Sequence, residues 1–519
     1  MVKKLSNYSM YIYCFVMFII YPLFFKNGYY DIGIAKYDFF IKFHMVALLI
    51  MCPLILWKDK IEFSLLDKTV LVFLGANIIS AILSDYRSAA WRGSEDWYMG
   101  LFSQIVFVLT YFCIKNVGSL QNKGVHAIVW MALGGATVVF ALGILNRFAV
   151  YPIDMKVEHT AFISTIGNIN WFCGYWSIMA SMGIGLYLIS TGKMKLLSGS
   201  YCFVAMLAGL VQGSSAAFLV VLGWGSILLW QAFNSKKRLQ IFIELFAIGS
   251  LAMEAVFWLE KAFPKGMKYN NMLIKYFMTH QPGILFFSIA CAVWLVVYFA
   301  CPQYDLLTNQ SGDEKKRELC NDSKKFYNIS MHRKKVEEIL YGIRLGLFAL
   351  LILGTVFAIY CAMKNGWIVL DDNFGNGRFG IWMISFELIK SMNLRQFLFG
   401  VGPDCFDIYL YSFPDLAPRL SEMFGSYRLT NCHCEMLNNY INIGLLGALS
   451  YFAVIVISLR NFTQELKLHS ELWVVVFGIC GYILLNLVSF AQIMNMPYIF
   501  ILMALGERIN EQLRNELCK

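Results

Sequence analysis

The residue types best suited to chemistry stand in one stretch of this chain, Trp367–Gly447, between two apolar runs. Arg378 follows a glycine at the start of a segment with helical spacing, and His433 and Glu435 stand just before the next apolar run. A guanidinium binds phosphate oxygens through two parallel hydrogen bonds, and a neutral imidazole accepts a proton from a hydroxyl group. The pattern is compatible with a site that binds phosphate and moves a proton, and also with side chains that serve only packing or the membrane interface.

An amphipathic helix on the outer membrane surface is predicted to begin at Arg378. Its apolar residues recur at helical intervals, and they are Phe379, Trp382, Met383, Phe386 and Ile389. Asn376 is predicted to cap this helix, and Gly377 lets a ligand approach its first turn closely. Arg378 then lies at the positive helix end, which suits an anion such as phosphate. The alternative is an arginine that extends to the lipid headgroups.

His433 is predicted to lie in the first turn of a helix that starts near Asn431. A helix N-terminus disfavours the protonated imidazole, so the ring can act as a base. The alternative is a histidine that is only packed or interfacial. Cys432 and Cys434 flank it, but a closed metal site needs about four ligands, and no second His or Cys cluster stands in the predicted outer loops. We therefore expect neither a metal nor another cofactor.

Two shorter loops also carry polar side chains. Arg92 stands beside Glu95 and Asp96, which is compatible with a solvated, salt-bridged turn or with ligand contact. Asn168 and Asn170 precede another apolar run, next to a tryptophan of the kind that anchors proteins at membrane interfaces. These residues are candidates for substrate binding.

Apolar runs set the fold class. Of the 519 residues, 59% are hydrophobic and 15% charged, against about half and about a quarter in soluble domains. The runs are roughly 17–25 residues long, which is the length of a membrane-spanning helix, whereas a β-barrel would show short alternating segments. We predict an all-α, polytopic integral membrane protein with roughly 12–14 transmembrane helices. One large extracytoplasmic loop, 364–434, is predicted to contain short helices.

The predicted spans lie near 10–25, 39–57, 69–84, 99–114, 125–147, 171–190, 197–211, 214–232, 240–258, 283–301, 342–363, 435–459, 472–490 and 496–507. More than half of the Lys and Arg residues fall in the two termini and in alternate loops. The positive-inside bias therefore places both termini in the cytosol. The run 10–25 lacks a small-residue cleavage pattern and is predicted to be a retained helix, not a signal peptide.

The excess of basic over acidic residues is explained by this topology. The net charge is +10, and the positive-inside bias accounts for it without a nucleic-acid partner. Loop 302–341 is predicted to be a basic cytosolic linker, with binding to anionic lipid as the alternative. No internal repeat or attached soluble domain is evident, so residues 1–519 are predicted to form one membrane domain.

The large loop resembles that of the O-antigen ligase and O-antigen polymerase superfamily of bacterial membrane glycosyltransferases. In that family the loop begins with Gly-Arg-x-x-x-Trp, matched here by Gly377, Arg378 and Trp382. A Gly-x-Gly turn follows, matched by Gly400 and Gly402.

Further patches of the chain are similar to the same family. Its His-Asn-Glu-x-Leu segment corresponds to His433-Cys434-Glu435-Met436-Leu437, with Gly444 and Gly447 downstream. Arg92-Gly93 and Asn168-x-Asn170 resemble upstream signatures of the family. The resemblance covers most of the chain as topology and about four short patches as residues.

Two positions depart from the family pattern. Cys434 replaces the asparagine that normally follows the histidine. Gly213-Ser214-Ser215-Ala216 occupies an outer turn at which the family often has Ser-Arg. If that arginine holds diphosphate, the contact here must come from Arg378, from Arg92, or from lysines such as Lys265 and Lys268.

The resemblance implies transfer or polymerisation of an undecaprenyl-diphosphate-linked oligosaccharide onto an acceptor hydroxyl at the outer face of the bacterial cytoplasmic (inner) membrane. His433 is implied as the base and Arg378 as the diphosphate ligand, without a metal. The implied substrate-binding residues are Arg92, Gly377, Trp382, Glu435, Asn168 and Asn170. The acceptor would be a glycan, a lipid or a cell-wall component, and membrane lipids would surround the protein.

Other classes of protein are also compatible with outer polar loops. A transporter or flippase of the lipid-linked oligosaccharide would use the same groove without chemistry. Such proteins usually carry ionisable residues near the midplane and often repeated halves, whereas Glu244 and Glu254 are the main ionisable residues expected in the spans. A scaffold that uses loop 302–341 would leave the outer patches unexplained. The sequence does not separate ligase from polymerase.

Overall fold

The computed structural model describes residues 2–55, 61–118, 122–157, 162–264, 280–301 and 369–517, together with some residues between 338 and 366. The predicted span 342–363 falls in the partly described stretch, where every described residue from 338 to 364 is helical. Most of the predicted loop 302–341, and Trp367, lie outside the described residues.

Helices dominate the first 301 residues. The chain begins with α1 (Val2–Phe15), which continues through a π-helical turn (Val16–Ile20) and a last turn (Tyr21–Leu23). There follow α2 (Ile32–Ile55), α3 (Leu65–Leu83), the short α4 (Arg87–Arg92), α5 (Leu101–Asn116) and α6 (Asn122–Arg147). A two-stranded antiparallel hairpin, β1 (Phe162–Ile163) and β2 (Gly167–Asn168), precedes α7 (Ile169–Ile189). Next come α8 (Gly192–Gln212), α9 (Ser215–Ala232), α10 (Lys236–Ala262) and α11 (Pro282–Ala300).

The last part of the chain contains short helices followed by long ones. The short helices are α12 (Arg378–Lys390), α13 (Leu394–Phe399), α14 (Phe406–Leu410) and α15 (Ala417–Phe424), with a 3-10 turn at Pro414–Leu416. The long helices are α16 (Glu435–Gln464), α17 (Leu472–Asn486) and α18 (Met496–Leu517).

Eight of the described helices are long and apolar enough to cross a bilayer: α2, α3, α6, α7, α8, α10, α11 and α16. Three shorter apolar helices, α5, α9 and α17, pack among them. In a bilayer the backbone polar groups of a spanning segment must be satisfied within the protein, which a helix achieves. The prediction of an all-α, multi-pass membrane protein is therefore confirmed. The count of roughly 12–14 spans and the sidedness stay predictions.

Helix α7 lies at the centre of the bundle. It is buried along almost its whole length and packs mainly against α17 and α8. Its start is fixed locally, because the Asn168 side chain accepts a hydrogen bond from the backbone N–H of Asn170 at 2.8 Å and so acts as the N-cap. Helix α11, by contrast, is mostly exposed and packs against α10. The position of α7 anchors the loops at its N-terminal end.

The segment from Arg378 to Leu429 packs in an apolar cluster, separate from the main core, that also includes residues of α3, α4, α5 and α16. Its α12 buries Ile381, Ile384 and Leu388, which pack with other buried apolar residues: Phe406, Tyr409, Leu410, Leu420 and Leu429. Of the predicted apolar face, Met383 is 40% and Phe386 47% exposed. Helix α12 therefore has apolar side chains on two faces. One packs on the protein, and the other is available to a bilayer.

One predicted helix cap and one predicted helix start are wrong. The N-cap of α12 is Gly377, with a φ of +83° and no side-chain cap, so Asn376 does not cap the helix. Helix α16 begins at Glu435 with Cys434 as its N-cap, not near Asn431. His433 thus lies before the helix, with a φ of +47° in the left-handed region. Both errors arise where the backbone adopts a positive φ, a conformation that the residue types at these positions do not predict.

Buried charges occur at positions that the sequence did not indicate. Lys36 is fully buried near the start of α2, where its Nζ donates to the carbonyls of Tyr21 at 3.0 Å and Pro22 at 2.8 Å. The last carbonyl groups of a helix lack partners within that helix. Lys36 therefore satisfies the end of the α1 segment.

A second buried ionic group lies near the C-terminal end of α5. The Lys115 Nζ contacts the carboxylate of Asp67 and that of Glu511, the latter at 2.9 Å, and Tyr111 donates to Asp67 at 2.7 Å. These contacts join α3, α5 and α18. Lys36, Asp67 and Lys115 lie just outside the predicted spans, so the expectation that Glu244 and Glu254 are the main ionisable residues of the spans stays a prediction.

Candidate functional site

The segment Leu487–Asn495, between α17 and α18, is non-helical and largely buried. Its backbone groups are used by side chains and backbone from three other regions. The Val488 carbonyl accepts from Arg378 at 2.8 Å, the Ala491 N–H donates to the Glu435 carboxylate, and the Ile493 N–H donates to the Trp97 carbonyl at 3.3 Å. Buried backbone groups need such partners. We call the assembly of residues 84–100, 369–434 and 487–495 the loop face.

Arg378 is the first residue of α12, and its guanidinium is held at two points. The Nε donates to the Val488 carbonyl, and one terminal nitrogen donates to the Gly375 carbonyl at 2.9 Å. These bonds use two of the five N–H donors of a guanidinium. Burial lowers the pKa of Arg378, although an arginine stays protonated. Arg378 is thus an oriented, partly desolvated cation with further donors for an anion.

His433 lies within electrostatic range of Arg378. Its backbone N–H donates to the Asn431 side chain at 3.0 Å, and the ring meets the Phe490 ring edge-on, with 5.4 Å between centroids. Burial, and then the charge of Arg378, lower the pKa of His433 to about 3. The described residues make no hydrogen bond to its ring. The imidazole is therefore neutral at physiological pH, so it can accept a proton.

Glu435, a predicted substrate-binding residue, is engaged within the protein. One carboxylate oxygen accepts from the Ala491 N–H and the other from the Asn439 side chain at 3.0 Å. The side chain is buried. Glu435 therefore positions the Leu487–Asn495 segment, which in turn carries the partners of Arg378 and His433.

Trp382 lies one turn after Arg378 on α12, and residues four apart on a helix are neighbours on its surface. Its indole N–H is buried and has no hydrogen-bond partner within the described residues. Buried polar groups are usually paired, so this unpaired donor is an exception in the region next to Arg378. Gly377 precedes Arg378 as the N-cap and leaves the first turn of α12 uncovered by a side chain.

The predicted substrate-binding roles of Arg92, Asn168 and Asn170 stay predictions, and the structure shows the local contacts of these residues. Arg92 is exposed at the end of α4, with its guanidinium 5.5 Å from the centroid of the Tyr98 ring, and no hydrogen bond or ion pair among the described residues links it to Arg378 or His433. Asn168 uses its side chain to cap α7, so that residue is structural as placed. Asn170 provides the N–H of that cap.

Aromatic residues that the sequence analysis did not single out connect these regions. Trp97 contacts both Trp171 and Phe490 edge-on, at centroid distances of 5.5 and 4.7 Å, and its indole N–H donates to the Thr430 hydroxyl at 2.7 Å. Phe490 also contacts His433. Trp97 therefore packs the short loop before α5 against the neighbourhood of His433.

A buried carboxyl group joins the loop before α5 to the Gly400–Asp407 segment. Asp404 accepts hydrogen bonds from the backbone N–H groups of Ser94 at 2.8 Å and Met99 at 2.9 Å. The Ser94 hydroxyl donates to Asp407 at 2.7 Å. Burial raises the pKa of Asp404 to about 8, although the two N–H donors favour its carboxylate. These bonds fix the part of the loop that precedes α5.

Arg147 is a functional candidate that sequence reasoning missed. It is the last residue of α6, and its guanidinium donates to the carbonyls of Val211 at 3.2 Å and Gln212 at 3.5 Å. Both Arg147 and Arg378 lie within electrostatic range of Cys173, whose thiol shares a hydrogen bond with Ser214. Arg147 thus adds a cation beside the turn at residues 213–216. Its only sequence signal was a basic residue at the end of a predicted span.

Other predicted ligands have different outcomes. Lys265 and Lys268 lie outside the described residues. Within the part of the chain that the structure describes, no three His, Cys, Asp or Glu side chains are grouped so that they could hold a metal ion. Cys432 is fully buried, and burial raises its pKa, which disfavours the thiolate that metals bind.

No protein-family model matches the chain, and no curated protein matches it either. The class of protein therefore follows from the fold: an all-α membrane protein with eight helices among the described residues that are long and apolar enough to span a bilayer. Its loop face carries an oriented arginine and a neutral histidine within electrostatic range of each other.

Proposed function

We propose that this protein is a membrane glycosyltransferase that transfers or polymerises a polyprenyl-diphosphate-linked oligosaccharide onto an acceptor hydroxyl, without a metal ion. The proposal depends chiefly on one observation. The guanidinium of Arg378 and the neutral ring of His433 lie within electrostatic range of each other at one end of the helical bundle. A phosphate ligand and a proton acceptor are the two groups that this reaction needs.

In the proposed reaction, the acceptor oxygen attacks the anomeric carbon of the donor sugar. A new C–O bond forms, and the bond between that carbon and the diphosphate oxygen breaks with its electron pair moving to the diphosphate. Arg378, assisted by Arg147, stabilises the charge that develops on this leaving group. His433 takes the proton that the acceptor hydroxyl loses. The products are the lengthened or transferred glycan and the lipid diphosphate.

The low pKa of His433 fits this sequence of events. In the empty site, burial and the positive charge of Arg378 hold the imidazole neutral. An anion bound to Arg378 offsets that charge, so the pKa of His433 is expected to rise when the donor binds. The histidine would then be neutral before the reaction and a stronger base once the diphosphate is present.

The transporter alternative has less support from the charges within the helices. Glu244 pairs with Lys195 at 2.6 Å and accepts from Tyr187 at 3.0 Å. Glu254 accepts hydrogen bonds from Trp258 at 2.8 Å and Gln281 at 3.3 Å. Both acids therefore have partners within the protein, and the second carboxylate oxygen of Glu254 is buried without one among the described residues. A transport route would use ionisable groups that face a pathway.

The proposal includes a location and a topology. We place the protein in the bacterial cytoplasmic membrane with roughly 12–14 spans, both termini in the cytosol and the loop face outside. The donor would be undecaprenyl diphosphate linked to a glycan, and the acceptor a glycan, a lipid or a cell-wall component. An alkaline phosphatase fusion within the loop face should be active, and a fluorescent-protein fusion at the C-terminus should fluoresce. The reverse pattern would contradict this topology.

The direct test is release of lipid diphosphate by the purified protein, given lipid-linked oligosaccharide and a panel of acceptors. Wild type should release lipid diphosphate and form a longer or transferred glycan. His433→Ala and Arg378→Ala should each lose the reaction while remaining folded, whereas the surface variant Arg428→Ala should keep it. Movement of the lipid between leaflets without release by the folded wild type would support a transporter and exclude the transferase. The product would distinguish polymerase from ligase.

A further inference from the structure

An apolar cavity of about 250 Å³ lies between α7, α8, α9, α10 and α11. Large hydrophobic side chains form most of its wall, among them Trp176, Met206, Phe218, Trp224 and Phe242. All five helices are apolar, and four of them are long enough to cross a bilayer. The cavity therefore lies within the membrane part of the protein.

The shape of the cavity suits a chain. Its lining on α9 extends from Ala217 to Leu228, which corresponds to about 16 Å at a helical rise of about 1.5 Å per residue. Two lining residues, Val221 on α9 and Phe246 on α10, are 44% and 48% exposed. The cavity thus opens sideways between α9 and α10, toward the hydrocarbon of the bilayer.

The two indole groups in the wall do not offer hydrogen bonds to a ligand. The Trp176 N–H donates to the Ala205 carbonyl at 2.7 Å, and the Trp224 N–H donates to the Ser181 hydroxyl at 2.7 Å. A buried indole normally finds such a partner. The walls therefore present mainly hydrocarbon, which favours an apolar occupant over a sugar or a peptide.

Cations stand at one end of this cavity. Its lining residue Leu210 directly precedes Val211 and Gln212, whose carbonyls bind Arg147. Arg378 shares with Arg147 the neighbour Cys173, on the helix that also contributes Trp176. An amphiphile with an anionic headgroup and a hydrocarbon tail is complementary to this arrangement, with its headgroup at the arginines and its tail against the apolar walls.

We propose that this cavity binds part of the hydrocarbon chain of the polyprenyl diphosphate donor, with its diphosphate held near Arg147 and Arg378. The inference rests on the proposed function and adds the site of the lipid tail. The sideways opening admits a single chain from the bilayer. The two arginines match a diphosphate better than the singly charged phosphate of a common phospholipid.

Glycines in the cavity wall allow the tail site to be filled with little disturbance. A Cβ added at Gly225 on α9 meets no atom within 4 Å, and one at Gly249 on α10 meets only the Met206 sulfur at 3.5 Å. Leucine at either position would enter the cavity. Gly134 on α6 is a matched control, because its Cβ also meets nothing within 4 Å and it does not line the cavity.

The test is photo-crosslinking of the full-length protein in nanodiscs with undecaprenyl diphosphate that carries a diazirine on its chain. Peptide mapping should find the label on α9 and α10 in wild type and in Gly134→Leu. Labelling should fall about tenfold in Gly225→Leu and Gly249→Leu, as expected for the displacement of roughly two buried CH₂ groups. Unlabelled undecaprenyl diphosphate should compete, and phosphatidylglycerol should not.

Label confined to other helices, or labelling of the two filled variants equal to that of wild type, would overturn the inference. Competition by phosphatidylglycerol equal to that by undecaprenyl diphosphate would also overturn it, because the cavity would then be a site for bilayer lipid. Crosslinking needs no turnover, so it is independent of the reaction. Glycan transfer by a wild type whose cavity stays unlabelled would leave the transferase standing without this tail site. A labelled cavity in a protein that transfers no glycan would support the tail site and contradict the transferase.

Discussion

The Nε of Arg378 donates a hydrogen bond to the carbonyl oxygen of Val488, 2.8 Å away. This bond joins the first residue of α12 to the non-helical segment between the last two helices. The same segment carries Phe490, which contacts His433, and Ala491, which binds Glu435. One buried stretch of backbone therefore sets the position of the cation and of the proposed base.

Replacement of Arg378 by lysine tests whether the reaction needs the two parallel hydrogen bonds that a guanidinium can donate to a phosphate. Lysine keeps the charge but cannot make two parallel hydrogen bonds to a phosphate. We expect Arg378→Lys to lower kcat/KM by about 10²–10³, measured as lipid diphosphate release. Arg428→Lys alters an exposed arginine that pairs with Asp407 at 3.3 Å and should change the rate little. Equal rates for both variants and wild type would remove Arg378 from the diphosphate site.

Replacement of His433 by glutamine removes the proposed base. We expect the rate of transfer to fall by about 10²–10⁴, while binding of the lipid-linked donor is retained. Loss of donor binding to the same extent as loss of rate would instead make His433 a structural residue. His126→Gln, a change at a half-exposed histidine near Glu471, is the control.

The low pKa of His433 also predicts a pH dependence. Its pKa is about 3 in the folded protein and about 6.5 when unfolded, so the unfolded chain binds the proton more readily. The stability that the neutral ring contributes is present above about pH 6.5 and is lost as the pH falls toward 3. Thermal unfolding in detergent should show that His433→Gln loses less stability on acidification than wild type does. An identical pH dependence of the two proteins would contradict the neutral, buried ring.

The raised pKa of Asp404 predicts a pH dependence of stability opposite to that of His433. Burial raises its folded-state pKa to about 8, against about 3.9 in the unfolded chain. Its contribution to stability is therefore fully present below about pH 4 and is lost as the pH rises through 8. Asp404→Asn keeps an oxygen that accepts from Ser94 and Met99 but does not ionise. The variant should lose less stability than wild type between pH 5 and 9, whereas the exposed Asp415→Asn should follow wild type.

Helices were more predictable than the contacts between them. Apolar runs locate the long helices because burial in a bilayer constrains every residue of a span. The spacing after Arg378 correctly placed a helix there. Its cap was wrong because Gly377 adopts a positive φ, which shifts the N-cap from Asn376 by one residue.

The site was only partly visible in the sequence. Arg378 and His433 were singled out by residue type and resemblance, and they lie within electrostatic range of each other. Arg147 was missed because its relation to Arg378 depends on how α6 packs beside α7 and α8. The spacing of residues along the chain does not predict this packing. Trp97 was not singled out, since only tertiary structure reveals its contacts with Phe490 and Thr430.

The Gly400–Gly402 turn depends on a break in α16. The N–H groups of Val401 and Gly402 donate to the carbonyls of Ile441 at 3.0 Å and Asn442 at 2.8 Å. These carbonyls are accessible because Gly444 leaves helical geometry, with a φ of +70°. A Cβ at Gly444 would lie 2.4 Å from the backbone of Leu398. The turn and the break therefore require each other.

Gly444→Ala should consequently be strongly destabilising. The positive φ and the overlap with Leu398 together are expected to cost about 3 kcal/mol or more, seen as a lower midpoint of thermal unfolding. Gly75→Ala is the matched control, because Gly75 lies within α3 and a Cβ there meets nothing within 4 Å. That variant should gain about 0.5–1 kcal/mol from the higher helix propensity of alanine. Similar midpoints for the two variants would show that α16 does not need its break, and the turn would then have to be held by other contacts.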